Sequence, residues 1–172
     1  MLKRPHTKKK FFILFAAVIL VFLGAFGSTV KYYTQSSCNS DRTNIIQLMA
    51  FVNRAEESVK QKGQEAFNDF RDKNGKWVSG TNYIFAYDMD GNTVVLPLQP
   101  ELEGTNRMAA MDSEGKYFVK EMVDILKLSD SGWLEYKYAK PGKDGSSTKL
   151  SYFQKVKVAG KEYFVGSGIY LD

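Results

Sequence analysis

The sequence is poor in the side chains that most often carry catalysis or bind metals. Its 172 residues include one cysteine, Cys38, and one histidine, His6. A single cysteine forms no intramolecular disulfide and cannot build a cysteine-ligated zinc site. His6 lies in the basic N-terminal tail, so the rest of the chain lacks the commonest general base. We therefore expect no enzyme, no metal and no other cofactor; a Tyr/Lys active site is the remaining enzymatic alternative.

Acidic residues are absent from the first 31 positions, and this absence accounts for the basic net charge of +5. Six of the 24 lysines and arginines lie there, which leaves 18 basic residues against 19 acidic ones in residues 32–172, or about −1. The positive charge therefore belongs to the tail. No concentrated basic surface remains in the rest of the chain, and we expect no nucleic-acid partner.

Residues 11–30 form a run of twenty residues without a charge, rich in Phe, Leu, Ile, Val and Ala. Such a run is long enough to cross the hydrocarbon core of a membrane. Basic residues precede it, so residues 1–10 are predicted to be cytoplasmic and the domain that follows to lie outside the cytoplasm. The run is predicted to be one transmembrane anchor. The alternative is a signal peptide cleaved near residues 25–27, which would give a secreted or periplasmic protein.

A three-four spacing of apolar residues predicts one long helix over residues 41–72, capped by Ser40 or Asp41. The spaced positions are Ile45, Leu48, Val52, Ala55, Val59, Ala66 and Phe70. At 1.5 Å per residue, such a helix is about 50 Å long, and Gly63 allows a bend. We expect its distal half to pack on a sheet. A plain coiled-coil stalk is the alternative, and the helix is also a candidate surface for a homodimer.

An aromatic hairpin follows the helix. Tyr83, Phe85 and Tyr87 recur at every second residue and so share one face of a strand. Residues 88–92 can close a turn, residues 93–96 form the return strand, and Pro97 ends it. The turn contains spaced aspartates like a calcium loop, but its glycine comes two residues early and its twelfth position is Gln99. We therefore predict a hairpin turn and no metal site.

The remaining segments complete an α+β pattern. Residues 99–111 read as a loop, residues 116–128 as a helix, and residues 133–139, 149–158 and 162–171 as three strands. The predicted fold is a long N-terminal helix packed on a five-stranded antiparallel sheet. One transmembrane helix precedes it, and the helices lie on one face of the sheet. The domain is predicted to span residues 41–172.

Aromatic side chains cluster on the predicted strands beside one lysine, Lys149. Tyrosine hydroxyls and an ammonium group around an apolar floor suit a small anionic or polar ligand in a concave site. Ordinary core packing of these rings is the alternative.

The order and spacing of several short motifs resemble the single Cache sensor domain family over residues 41–172. These motifs are the aromatic strand with its Asp-rich turn at 83–91, Gly104, Asp112 with Gly115 and Lys116, Gly132 with Trp133, Tyr136 and Tyr138, Lys149 with Tyr152, and residues 165–170. The resemblance implies a PAS-like antiparallel sheet. It also implies an extracytoplasmic region of a chemoreceptor or sensor kinase that binds small carboxylates, amino acids or similar metabolites.

The same resemblance implies a set of ligand-binding residues: Tyr83, Phe85, Leu96, Arg107, Trp133, Tyr136, Tyr138, Lys149 and Tyr152. The aromatic rings would form walls, the tyrosine hydroxyls would donate hydrogen bonds, and Arg107 and Lys149 would pair with charge. Many members of the family carry His-Pro where this sequence has Leu96-Pro97. An apolar contact therefore replaces a polar one, which favours a less polar ligand or none.

The function predicted from these observations is a membrane-anchored, non-catalytic sensor of a small metabolite. A cytoplasmic tail of ten residues and an end at Asp172 leave no room for an output domain, so signalling is expected to pass through a separate signalling protein. A pilin-like surface protein is the alternative, because a basic leader and a Phe-initiated apolar helix are also a pilin's plan. Against it, Lys10 rather than glycine precedes Phe11.

Overall fold

The computed structural model describes residues 36–171. The predictions for the basic tail and for the apolar run at 11–30 lie outside this range. No helix within residues 36–171 combines the length and the apolar character needed to cross a membrane. The helices and strands, in chain order, are α1 Ser36–Lys62, α2 Ala66–Arg71, β1 Val78–Ser79, β2 Asn82–Tyr83, β3 Phe85–Asp88, β4 Thr93–Val95, α3 Phe118–Leu128, β5 Ser131–Ala139, β6 Ser146–Val158 and β7 Lys161–Tyr170.

Five of these strands form one antiparallel sheet, as predicted from the sequence. Their order in the sheet is β4-β3-β7-β6-β5. Strands β6 and β7 form its long central hairpin, closed by Ala159 and Gly160, which have φ angles of 49° and 84°. Two consecutive residues with positive φ form the turn type whose twist matches that of the flanking strands. Strands β1 and β2 form a separate small ribbon beside the sheet.

The long N-terminal helix differs from its prediction at both ends. Helix α1 already includes residues 36–40, so a cap at Ser40 or Asp41 is wrong. It ends at Lys62, where Gly63 has a φ of +64° that an α-helix does not tolerate, and a 3₁₀ turn over Gly63–Glu65 leads into α2. The helix is therefore interrupted at Gly63, and the predicted single helix is two helices joined by a 3₁₀ turn.

The helices cover both faces of the sheet, so the prediction that they share one face is wrong. Helices α1 and α2 pack with Ile84, Ala86 and Val165 on one face, which we call the α1 face. Helix α3 packs with Phe85 and Phe164 on the other, the α3 face. Successive strand residues point to opposite faces, and every residue from 83 to 88 is buried. A strand buried on both sides needs a covering layer on each.

The hairpin turn between β3 and β4 is built around the carboxylate of Asp88, which is 2% exposed. Its Oδ1 accepts hydrogen bonds from the backbone N–H groups of Asp90 and Asn92, at 3.1 and 2.8 Å. Its Oδ2 lies 2.8 Å from Nζ of Lys161 on β7. The acidic side chain that suggested calcium is therefore engaged in closing the turn and fixing it to the sheet.

Candidate functional site

Lys149 is the most unusual side chain of the α3 face. It lies on strand β6, between β7 and β5, and only 1% of the residue is exposed to solvent. Its Nζ is 3.2 Å from the hydroxyl oxygen of Tyr83, which accepts the hydrogen bond. No carboxylate within residues 36–171 pairs with it, although lysine is almost never fully buried without a partner. A buried amine without a counter-charge marks this position as a candidate site.

Four aromatic rings surround the Lys149 amine. Its Nζ is 4.3 Å from the ring centroid of Tyr83, 5.2 Å from Tyr138, 5.4 Å from Tyr170 and 5.8 Å from Phe85. These distances are within the range in which an aromatic face attracts a cation. We call this group the aromatic cage.

The sheet register explains why these groups meet. Tyr136 on β5, Lys149 on β6 and Tyr170 on β7 are directly opposite one another. Directly opposed residues of antiparallel strands project their side chains from the same face at close range. The row therefore brings two tyrosines from distant parts of the chain to either side of the lysine.

Burial changes the acid–base properties of these side chains in opposite directions. It lowers the pKa of Lys149 to about 7, because removal from water disfavours the charged ammonium. It raises the pKa of Tyr83 and of Tyr136 well above the usual value for a phenol. The tyrosines therefore remain neutral hydroxyls near neutral pH, whereas the lysine changes its charge there.

A small cavity lies beside the Lys149 amine. It is lined by Tyr83, Phe85, Tyr87, Leu96, Phe118, Met122, Tyr136, Tyr138 and Lys149. Its volume is about 10 Å³, which is roughly enough for one water molecule. Lys149 and the tyrosines are its polar lining residues, and Leu96, Phe118 and Met122 are among its apolar ones.

Stacked rings and a hydrogen bond hold the cavity walls in place. The ring of Phe118 at the start of α3 stacks on that of Tyr136, with centroids 4.8 Å apart and planes 6° from parallel. The hydroxyls of Tyr136 and Ser151 lie 3.1 Å apart. The hydroxyl of Tyr138 donates to the side-chain oxygen of Gln99, in the loop after β4. The cavity is therefore closed by α3 and by this loop.

The structure brings together six of the nine residues predicted for the site: Tyr83, Phe85, Leu96, Tyr136, Tyr138 and Lys149. Arg107 lies at its edge, with its guanidinium carbon 6.0 Å from the ring centroid of Phe118. It does not line the cavity.

Trp133 and Tyr152 lie on the α1 face, so their placement in the pocket is corrected. They pack against each other there, with ring centroids 4.7 Å apart. Each is three residues from a cavity residue of its own strand, Trp133 from Tyr136 and Tyr152 from Lys149. An odd separation along a strand reverses the face on which a side chain lies.

Four residues of the site were missing from the predicted set: Tyr87, Phe118, Met122 and Tyr170. Tyr87 continues the every-second-residue pattern of Tyr83 and Phe85, and Phe118 and Met122 are four apart on one helix face. These signals were readable from the sequence. Tyr170 joins the cage only through the pairing of β6 with β7.

A chain of charged contacts connects α2 with the wall of the cavity. Oε1 of Glu103 accepts the backbone N–H of Leu96 at 2.9 Å, and its Oε2 lies 2.7 Å from Nε of Arg71 in α2. Another nitrogen of Arg71 donates to the carbonyl of Val94 on β4 at 2.7 Å. The end of the N-terminal helical layer therefore contacts both β4 and Leu96, which follows it.

This architecture, an antiparallel sheet with a small cavity enclosed on one face, is that of a PAS-like sensor domain. A family model described as Cache domain matches residues 30–172. The chain belongs to the Cache domain family, and the resemblance read from its motifs is confirmed.

Curated relatives match about half of this chain. The methyl-accepting chemotaxis protein McpP of Pseudomonas putida is 31% identical over 91 residues, which is 53% of this chain and 16% of that protein. The sensor histidine kinase MctS of Rhizobium johnstonii is 34% identical over 90 residues, which is 52% of this chain and 19% of that protein. The matched segments therefore span less than a fifth of either relative.

Solved structures share the fold. A Cache chemosensory domain, described for its recognition of carboxylic acids, has a TM-score of 0.65 at 24% identity and covers 81% of this chain and 99% of its own. A methyl-accepting chemotaxis protein from Vibrio parahaemolyticus has a TM-score of 0.65 at 21% identity, covering 80% of this chain and 95% of its own. At these identities the similarity establishes the architecture.

Proposed function

We propose that this chain is an extracytoplasmic sensor domain that binds a small carboxylate without converting it. The observation that carries the proposal is Lys149, a buried amine without a counter-charge, enclosed by rings and tyrosine hydroxyls. A carboxylate bound there would supply the missing negative charge and accept charge-assisted hydrogen bonds. A Cache domain of the same fold is described as recognising carboxylic acids, which supports this ligand class.

The lining of the cavity favours a monocarboxylate with a short apolar tail. It holds one amine, Lys149, which as an ammonium is enough for one carboxylate. Leu96, Phe118 and Met122 offer no partner to a second charged group, and burying such a group unpaired would be costly. Leu96 therefore makes the remainder of the ligand apolar, while Lys149 retains the requirement for an anion.

Ligand entry requires the cavity to widen, because its present space holds only about one water molecule. The walls proposed to move are α3 and the loop after β4. This loop contacts the cavity wall through the hydrogen bond between Gln99 and Tyr138. Arg71 and Glu103 connect this loop and β4 with α2. We propose that widening is transmitted through these contacts to the N-terminal helices.

The cellular setting is proposed from the sequence and the relatives together. Residues 11–30 would anchor the chain in a membrane as a single-pass protein, with the Cache domain outside the cytoplasm. The matched relatives are a chemotaxis protein and a sensor kinase, which supports a role in signalling. A separate signalling protein is the proposed partner of this chain. Helix α1, on which Ile46 is 59% exposed, is the proposed homodimer surface. Membership of the Cache family favours this function over a pilin-like one.

Thermal unfolding of the full chain with candidate ligands tests the proposal. Acetate, propionate and butyrate at millimolar concentration should raise the melting temperature, whereas ethylamine and propanol at the same concentration should not. The Lys149→Met variant should lose the carboxylate effect. Lys157→Met, an exposed lysine of the same strand, should keep it. Equal melting temperatures with and without each carboxylate would contradict the proposal.

A further inference from the structure

We propose that, above neutral pH, the site takes up its carboxylate together with one proton: the empty site then holds Lys149 mostly as a neutral amine, and the occupied site holds an ammonium–carboxylate pair. This inference rests on the proposed binding of a carboxylate. It concerns the regulation of that binding, because affinity then depends on the pH outside the cytoplasm as well as on the ligand.

The empty cavity is a poor place for a cation. An ammonium has three N–H donors, yet Nζ of Lys149 has one hydrogen-bond partner within the described part of the chain, the hydroxyl of Tyr83. The rings of the aromatic cage offset only part of the lost hydration. A neutral amine needs fewer partners, and its lone pair can accept the Tyr83 proton instead.

The other ionisable groups around Lys149 do not supply a negative charge. Five tyrosines face the cavity or the cage, from β2, β3, β5 and β7: Tyr83, Tyr87, Tyr136, Tyr138 and Tyr170. Burial raises the pKa of each of them, so all remain neutral. Helix α3 presents Phe118 and Met122. The charged groups around the cavity in the loop after β4 are Arg107, beside Phe118, Glu101, which acts on Tyr138, and Glu103, which pairs with Arg71 and accepts the backbone N–H of Leu96.

Lys149 is therefore the group of this cavity whose charge changes near neutral pH, since burial lowers its pKa to about 7. An arriving carboxylate replaces the lost hydration with a direct ion pair and so favours the ammonium. The proton comes from water, and no covalent bond is formed or broken. Carboxylate binding favours protonation of Lys149, and protonation favours carboxylate binding by the same factor. The affinity for the carboxylate must therefore fall as pH rises above about 7.

The size of the effect follows from this linkage. With a pKa near 7 in the empty site, about nine-tenths of the lysine is neutral at pH 8, so nearly one proton is taken up per ligand bound. The association constant should fall about tenfold between pH 6 and pH 8, and about tenfold again between pH 8 and pH 9. Below pH 6 it should be nearly constant.

Isothermal titration calorimetry of the full chain with propionate measures both the number of protons taken up and the association constant. Titrations at pH 8 in phosphate and in Tris, whose ionisation enthalpies differ, give the number of protons taken up from the difference in observed heat. We expect close to one proton at pH 8 and few at pH 5.5. The Lys157→Met variant serves as the matched control, because it removes an exposed amine of the same strand, and its proton uptake should remain close to one.

The outcomes separate this inference from the function on which it rests. Proton uptake with a pH-dependent affinity supports it. Binding of propionate with equal heats in both buffers and a constant affinity from pH 6 to pH 9 overturns proton uptake while leaving carboxylate sensing in place. Absence of binding by acetate, propionate and butyrate at pH 6, where the amine is charged, overturns both.

Discussion

Replacing Lys149 with methionine should raise the free energy of unfolding, and the gain should shrink as pH rises. Methionine fills a similar volume without a charge, so the substitution mainly removes the penalty of burying an ionisable group. That penalty exists because the pKa of Lys149 falls from 10.5 to about 7 on folding. At one pKa unit per 1.36 kcal/mol, the shift corresponds to about 5 kcal/mol.

The sign and the pH range follow from proton linkage. The unfolded chain binds a proton at Lys149 that the folded chain releases, so the stability of the unmodified protein rises with pH. The penalty is complete below about pH 6, declines above pH 7 and disappears above the unfolded-state pKa of 10.5. Between pH 7.5 and pH 9.5 it should decrease by about 2.5 kcal/mol.

Urea denaturation of the full chain, followed by tryptophan fluorescence, measures this difference. Both tryptophans, Trp77 and Trp133, lie in the folded domain. The gap in unfolding free energy between Lys149→Met and the unmodified chain should narrow by about 2.5 kcal/mol from pH 7.5 to pH 9.5. Because the other ionisable groups are the same in both proteins, their contributions to the pH dependence cancel in this difference. Lys157→Met, with its exposed side chain, should show no comparable change. A gap that stays constant over this range would refute the reasoning, because Lys149 would then titrate alike in both states.

Three further substitutions test other parts of the structure. Leu96→His should lower the free energy of unfolding by about 1–3 kcal/mol in urea denaturation, because it buries a polar group. It should also shift the ligand preference, measured by calorimetric affinities, from propionate toward lactate. An unchanged preference would show that Leu96 does not contact the ligand. Tyr152→Phe lies on the α1 face and should leave propionate affinity within about twofold; a larger loss would return Tyr152 to the site. Gly166→Ala should destabilise by about 1–3 kcal/mol in thermal unfolding, since its Cβ would lie 2.5 Å from the Phe85 ring; an unchanged melting temperature would show that the two strands can separate there.

Much of the fold was predictable because it depends on local patterns. The period-two aromatic run at Tyr83, Phe85 and Tyr87 predicted a strand, and the three-four spacing in residues 41–72 predicted the helices that cover the sheet. Gly63 marked the point where the α-helix is interrupted by a 3₁₀ turn. The presence of helices on both faces of the sheet was not predicted. The unbroken buried run from 83 to 88 is the expected sign of a strand enclosed on both faces.

The candidate site was predictable only where its residues share a face within one segment. Tyr136 and Tyr138 are two apart and both line the cavity. The resemblance to the family grouped Trp133 and Tyr152 with them, but an odd separation places these two on the other face. Residue type alone does not distinguish a pocket residue from a core residue, because aromatic side chains suit both.

The sequence by itself determined the class of this protein, since strand and helix periodicity, turn residues and the ordered motifs of the Cache family are all local. Only the tertiary structure decided what surrounds Lys149. The pairing of β5, β6 and β7 sets Tyr136 and Tyr170 beside it, and the approach of β2 brings Tyr83 to 3.2 Å. The pKa of an amine depends on its distance from water and from charges, and folding sets both. A lysine that looks ordinary in the sequence therefore becomes, in the folded domain, a buried amine that titrates near neutral pH.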